Sequence, residues 1–146
     1  TIVEHSAYQA WKQIEFGANA SNPAIAGDLA DPNNNGVPNL LEYAFNANPL
    51  QTGTQPGPVL STVSANGSQY LAITYTQLNA DPNLVYTVQV TSDLTQQTDQ
   101  WHSGTTYTTV VSQQVNGATT QVTVRDNTPS SPGSKQFIRL QVTGGQ

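Results

Sequence analysis

The chain has 146 residues and a formal net charge of −5, a length that suits one domain of roughly 100–200 residues. Only 9% of the residues are charged, against about 25% in an ordinary soluble domain, so the polar surface is mostly hydroxyl and amide, as is common in extracellular modules and fibres. The four basic residues, Lys12, Arg125, Lys135 and Arg139, are too few and too scattered to bind nucleic acid or an anionic membrane surface, and the absence of Cys excludes disulfides, thiolate metal sites and Cys nucleophiles.

No apolar run reaches the length of about 18 residues that a membrane-spanning helix needs. No signal-peptide pattern is visible either. An exported protein would therefore begin here after processing, or the chain would be a module of something larger.

The first predicted element is a helix in "SAYQAWKQIEFG". Ser6 is a natural N-cap, Gln9 stands at the capping-box position three residues on, and Gly17 is a natural stop. Ala7, Trp11, Ile14 and Tyr8 recur at helical spacing and are expected to face the core. Residues 18–30, with Asn19, Asn22, Pro23 and Gly27, read as loop.

The segment "DPNNNGVPNLLE" follows. Counted from Asp31, it places Asn33 at position 3, Asn35 at 5, Gly36 at 6, Val37 at 7, Asn39 at 9 and Glu42 at 12. This is the calcium-loop pattern D-x-[DN]-x-[DN]-G-x5-E at every constrained position. The spacing has a physical reason: Ca2+ takes about six to eight oxygens, and oxygens on alternate residues of a tight loop converge on one point. Gly36 permits the turn, Val37 offers its carbonyl, and Glu42 closes the shell from the helix that follows. The competing reading is an Asn-rich turn that caps a helix. Only Asp31 and Glu42 are charged, so the expected affinity lies toward the weak range of roughly 10⁻⁴–10⁻³ M. No complete incoming helix precedes the loop, which suits a brace better than a calcium sensor. Pro38 fits the first turn of a short second helix, "PNLLEYAF", whose Leu40, Leu41, Tyr43 and Phe45 are placed to pack on a sheet.

From there the chain reads as strands: "PVLSTV", "SQYLAITYTQ", "LVYTVQVTS", "TTYTTVVSQQV", "TTQVTVRD" and "QFIRLQVT", rich in Val, Ile, Thr and Tyr. Leu71, Ile73 and Tyr75 share one face by alternation, as do Ile138, Leu140 and Val142. Asn66-Gly67 and Asn116-Gly117 read as the central pairs of type I′ hairpin turns. The fold class expected is mainly β: an antiparallel β-sandwich with a short helical N-terminal part that contains an EF-hand-like calcium loop. Residues 1–50 form the helical segment and 51–146 the sandwich, in one compact unit.

The loop resembles the calcium loops of thrombospondin type 3 repeats and dockerins. The longer succession "YQAWKQIEF", "DPNNNGVPNLLEYAFNANP", "YTVQVTSDL", Trp101, "VTVRDNTP" and "QFIRLQVT" is similar, nearly end to end, to a module of large secreted bacterial multidomain proteins. The resemblance implies secretion to the cell surface or beyond, and a calcium-stabilised, non-catalytic module. It carries the metal ligands over to Asp31, Asn33, Asn35, Asn39 and Glu42, with Asn at two places where Asp is usual.

No catalytic motif stands out. His5 and His102 lack an obvious oriented partner. Asp93 reads as a turn cap, although Asp93 and Asp99 form a conceivable carboxylate pair. Tyrosines on strands read mainly as core. Trp101 and Tyr107 are the candidates for sugar stacking. The function expected is a secreted structural or adhesion module, part of a surface protein or a subunit of an extracellular fibre, that self-associates or contacts neighbouring domains. An extended terminus such as "TIVEH" can add to a neighbour's sheet edge. The alternative is a carbohydrate-binding module of a secreted enzyme, whose partners are glycans.

Overall fold

The computed structural model describes residues 6–95 and 100–144. His5, Asp99 and the "TIVEH" segment lie outside them. The chain runs through α1 (Ala7–Phe16), a 3-10 turn (Gly17–Asn19), α2 (Pro23–Ala26) and α3 (Asn39–Ala44), and then through six strands: β1 (Val59–Ala65), β2 (Ser68–Leu78), β3 (Val85–Thr91), β4 (Thr108–Asn116), β5 (Thr119–Asp126) and β6 (Phe137–Thr143). The protein is mainly β, as the sequence predicts, and all six predicted strands are present. No helix among the described residues is long and apolar enough to cross a membrane.

The Ser6 hydroxyl caps α1 by accepting the Gln9 amide at 3.2 Å, and the helix stops at Gly17. The buried stripe differs from the expected one. Tyr8, Lys12 and Phe16 are buried, whereas Ile14 is 79% exposed and Ala7 also faces solvent. Lys12, only 8% exposed, takes the core position that hydrophobicity alone would deny it. Its aliphatic stem packs while its head stays paired: Nζ sits 4.3 Å from the Tyr8 ring centroid and 2.8 Å from Asp28 Oδ1. Burial and the Asp28 carboxylate push the Tyr8 hydroxyl well above the ordinary tyrosine range. The expected loop over residues 18–30 contains the end of the 3-10 turn and one α-helical turn, α2. The Asn22 side chain starts it by accepting the Ala24 amide at 3.0 Å, with Pro23 in the first position.

The strands form a four-stranded sheet, β1-β2-β5-β4, and a two-stranded sheet, β3-β6, with every pair antiparallel. Outside the strands, His102 bridges to Val90 on β3. Alternation sends Ile73 and Tyr75 of β2 and Val122 and Val124 of β5 inward, where they meet Val88, Ile138 and Leu140 of the smaller sheet. The two-stranded sheet covers the middle of the larger one. The edge strands β1 and β4 keep Val59, Leu60, Val110, Val111 and Val115 exposed.

The β1–β2 hairpin turns on Asn66 (φ 49°) and Gly67 (φ 78°), the type I′ turn expected. The β4–β5 hairpin corrects the second expectation. Asn116 pairs with Thr119, so the central residues are Gly117 and Ala118, and only Gly117 has positive φ, 59°. That is the glycine-first pattern of a type II′ turn. The pairing along β4 shifts by one residue between Val110 and Ser112, a β-bulge at Val111 beyond which Val110 pairs with Val124.

Helix α3 joins the helical part to the sheets. Tyr43, Ala44 and Leu40 pack with Tyr8 and Trp11 of α1 and with Leu78 and Leu84 of the β region. Two hydroxyls fix the contact. Tyr43 donates to Asp81 Oδ2 at 2.8 Å. Tyr86 donates to the Ala44 carbonyl at 2.6 Å and accepts the Leu78 amide at 3.0 Å.

Candidate metal centre

The chain preceding the loop folds back over the start of α3. The Asn39 amide donates to the Ala30 carbonyl at 2.9 Å and the Leu40 amide to Asp28 at 3.1 Å. Two helix-terminal donors that lack partners within the helix are thereby satisfied. Between these contacts, residues 31–37 wind tightly, with Asn34 at φ 54° and Gly36 at φ 85°. The side chains stabilise that winding locally. Asp31 accepts the Asn35 amide on Oδ1 at 3.1 Å and the Gly36 amide on Oδ2 at 2.9 Å. Asn33 Oδ1 accepts the Asn35 amide at 3.2 Å, and Asn35 Oδ1 accepts the Val37 amide at 2.8 Å.

Glu42, one helical turn into α3, is 1% exposed. Its Oε1 accepts Asn35 Nδ2 at 2.6 Å and Asn33 Nδ2 at 3.3 Å. Its Oε2 is buried and has no partner among the described residues. Asn39 is fully buried. Its Nδ2 donates to the Ile25 carbonyl at 2.8 Å and to Gly27 at 2.9 Å, whereas its Oδ1 has no partner among the described residues. Three of the predicted ligands, Asn33, Asn35 and Glu42, thus meet directly. Asp31 turns both oxygens onto loop amides, Val37 is tied to Asn35 through its own amide, and Asn39 backs the start of the helix.

Sequence reading missed the far wall of the site. The linker after α3 closes over the loop: Asn33 Nδ2 donates to the Gln51 carbonyl at 2.9 Å, Asn35 Nδ2 to Thr54 at 2.6 Å, and Gln55 Nε2 to the Asn35 carbonyl at 2.5 Å. The hint in the sequence was the run "LQTGTQPG", with Gln51 and Gln55, a few residues after the helix.

No cluster of three or more His, Cys, Asp or Glu side chains occurs among the described residues. The donors offered are instead two carboxylates, three amides and a carbonyl, an oxygen set of the kind hard cations take. The donor set fits a cation on one further point. A buried carboxylate oxygen without a donor is costly, and both orphaned oxygens in this region, on Glu42 and Asn39, belong to the predicted ligand set. A half-turn of the Asn33 or Asn35 amide would present Oδ1 to Glu42 in place of Nδ2. It would give up bonds to the loop and the linker, a trade that holds affinity down.

The remaining candidates are dispersed. Trp101 is half-buried under the Arg139 guanidinium, 4.0 Å from its ring centroid. Tyr107 stacks on His102, with centroids 4.6 Å apart; each of the two candidate rings thus has its own partner. Asp93 caps a turn, accepting the Thr95 amide at 2.8 Å. Tyr70 lies under Arg125, and Tyr75 stacks on Tyr86 inside the core. No protein-family model, curated protein or solved structure matches the chain.

Proposed function

We propose that the protein is a secreted, non-catalytic structural or adhesion module: a β-sandwich whose helical N-terminal part is braced by Ca2+. The observation that carries this reading is the Glu42 carboxylate, buried and short of a donor on Oε2, at the twelfth position of a calcium-loop pattern. Asp31, Asn33, Asn35, the Val37 carbonyl, Asn39 and Glu42 would hold the ion. The ion would supply positive charge to a cradle that now offers Glu42 only amide hydrogens. Its task is mechanical. The same loop contacts α3, the α2 segment and the 51–55 linker, so one ion would pin three stretches of chain together. Exposed valines and Leu60 on the edge strands β1 and β4 support self-association or docking against neighbouring domains.

The test is thermal unfolding with Ca2+ and with chelator. At a calcium concentration tenfold above Kd, linkage adds about 1.4 kcal/mol, and the midpoint rises by about 3–6 °C for a chain of this size. Glu42→Gln should abolish the calcium-dependent shift while the variant still folds. Superimposable melting curves with and without chelator would remove the calcium reading.

A further inference from the structure

A cavity of about 570 Å³ opens on the sheet region away from the loop, lined by Val90, His102, Tyr107, Asp126, Lys135 and neighbouring residues. Its size lies within the roughly 300–1,000 Å³ of ordinary ligand pockets. Three of its features are unused by the fold. Asp126, the last residue of β5, is 4% exposed and accepts the Thr128 amide on Oδ1 at 2.7 Å, while no described residue donates to its other oxygen. Lys135 stands alone among the four basic residues: Lys12, Arg125 and Arg139 each lie over an aromatic ring, whereas Lys135 makes no ion pair or ring contact with a described residue. Tyr107, 41% exposed, is held parallel to His102, with ring planes 17° apart.

The lining stretch from Thr128 to Gln136 is tied by its own hydrogen bonds. Gln136 Nε2 donates to Thr128 at 2.9 Å and to Pro129 at 3.3 Å. The Ser134 hydroxyl closes a turn with Ser131. The site is therefore shaped by bonds that do not consume the Asp126 and Lys135 groups.

We propose that this cavity binds one neutral sugar residue of a polysaccharide. A carboxylate that only accepts and an ammonium that only donates line the same cavity, so its charges balance and favour neither a polyanion nor a polycation. A neutral polyol satisfies both, because each hydroxyl donates and accepts. The preoriented Tyr107–His102 pair supplies the flat, weakly polar surface on which the C–H face of a pyranose packs. The inference is independent of the calcium loop.

The test is affinity electrophoresis of the full chain through gels containing neutral polysaccharides (glucan, mannan, galactan, xylan), with a polyuronate and a polyamine as charged controls. Retardation by at least one neutral polymer is expected, undiminished by chelator. Asp126→Asn, which keeps an acceptor for the Thr128 amide, and Tyr107→Ala should each weaken it at least tenfold. NMR shifts on adding the matching oligosaccharide should centre on Val90, His102, Tyr107 and Gly133, which keeps the test open if Tyr107→Ala does not fold. Retardation by charged polymers alone, by no polymer, or equally for parent and folded variants would overturn the assignment, as would loss of binding on chelation.

Discussion

The helical part and the strand region of this protein are held by different forces. In the strands, Ile73, Tyr75, Val88, Val122 and Val124 close a core by alternation alone, and burial of apolar area stabilises it without any special partner. Between Gly27 and Gln55, side-chain amides and carboxylates do most of the joining, and two buried oxygens lack a donor among the described residues. A region built that way depends on what completes its polar network, because a partly satisfied network costs more than an apolar one. The apolar core needs no such completion; on the proposed reading, the loop region takes it from Ca2+. The two meet at α3, where Tyr43 and Tyr86 tie the helix to the sheets.

The sharpest way to break this contrast is to damage the apolar side. Ile73→Ala leaves a cavity in the middle of the two-sheet core and should cost about 2–5 kcal/mol, by the same amount with and without calcium in denaturant titrations. A calcium-dependent cost would mean that the two regions share one network.

The junction should show an intermediate effect. Tyr43→Phe removes the donor to a buried Asp81 oxygen and should cost about 1–3 kcal/mol at neutral pH. The same variant probes pH. Burial, then the hydrogen bond to Asp81, raises the Tyr43 pKa above the ordinary 10.0. The folded state therefore keeps a proton that the unfolded chain releases. The stabilisation is complete below about pH 10 and is lost as pH climbs above it. Chemical denaturation at a series of alkaline pH values should show a shallower fall for Tyr43→Phe than for the parent, by up to about 1.4 kcal/mol per pH unit.

The smallest effect belongs to the residue on which sequence and structure disagree most plainly. Ile14→Lys should change stability by less than about 0.5 kcal/mol, because that side chain faces water. A loss of several kcal/mol in the same melt would restore Ile14 to the core and displace Lys12.

The strands were legible because their signal is local. A run such as "YLAITYTQ" declares its period of two, and burial of one face follows. The tight winding at Gly36 was legible for the same reason, since the spacing that predicts it lies within twelve consecutive residues. The reading failed where a choice depended on distant residues. Ile14 and Lys12 both sit on plausible helical stripes, and only Asp28, paired with the Lys12 ammonium, decides between them. Asn116-Gly117 is the stronger turn by propensity. The structure turns on Gly117-Ala118 instead, because register in a sheet is fixed by which faces are buried.

The sequence by itself determined a mainly β chain, its six strands, its charge-poor surface and a loop with oxygen donors at calcium-binding spacing. Each of these is written in short-range periodicity or composition. Only the tertiary structure decided that Glu42 would be buried with one oxygen unmatched, that Gln51, Thr54 and Gln55 would wall the loop, and that Asp126, Lys135 and Tyr107 would face one cavity. Those facts depend on contacts between residues far apart in the chain, whose meeting no local pattern records.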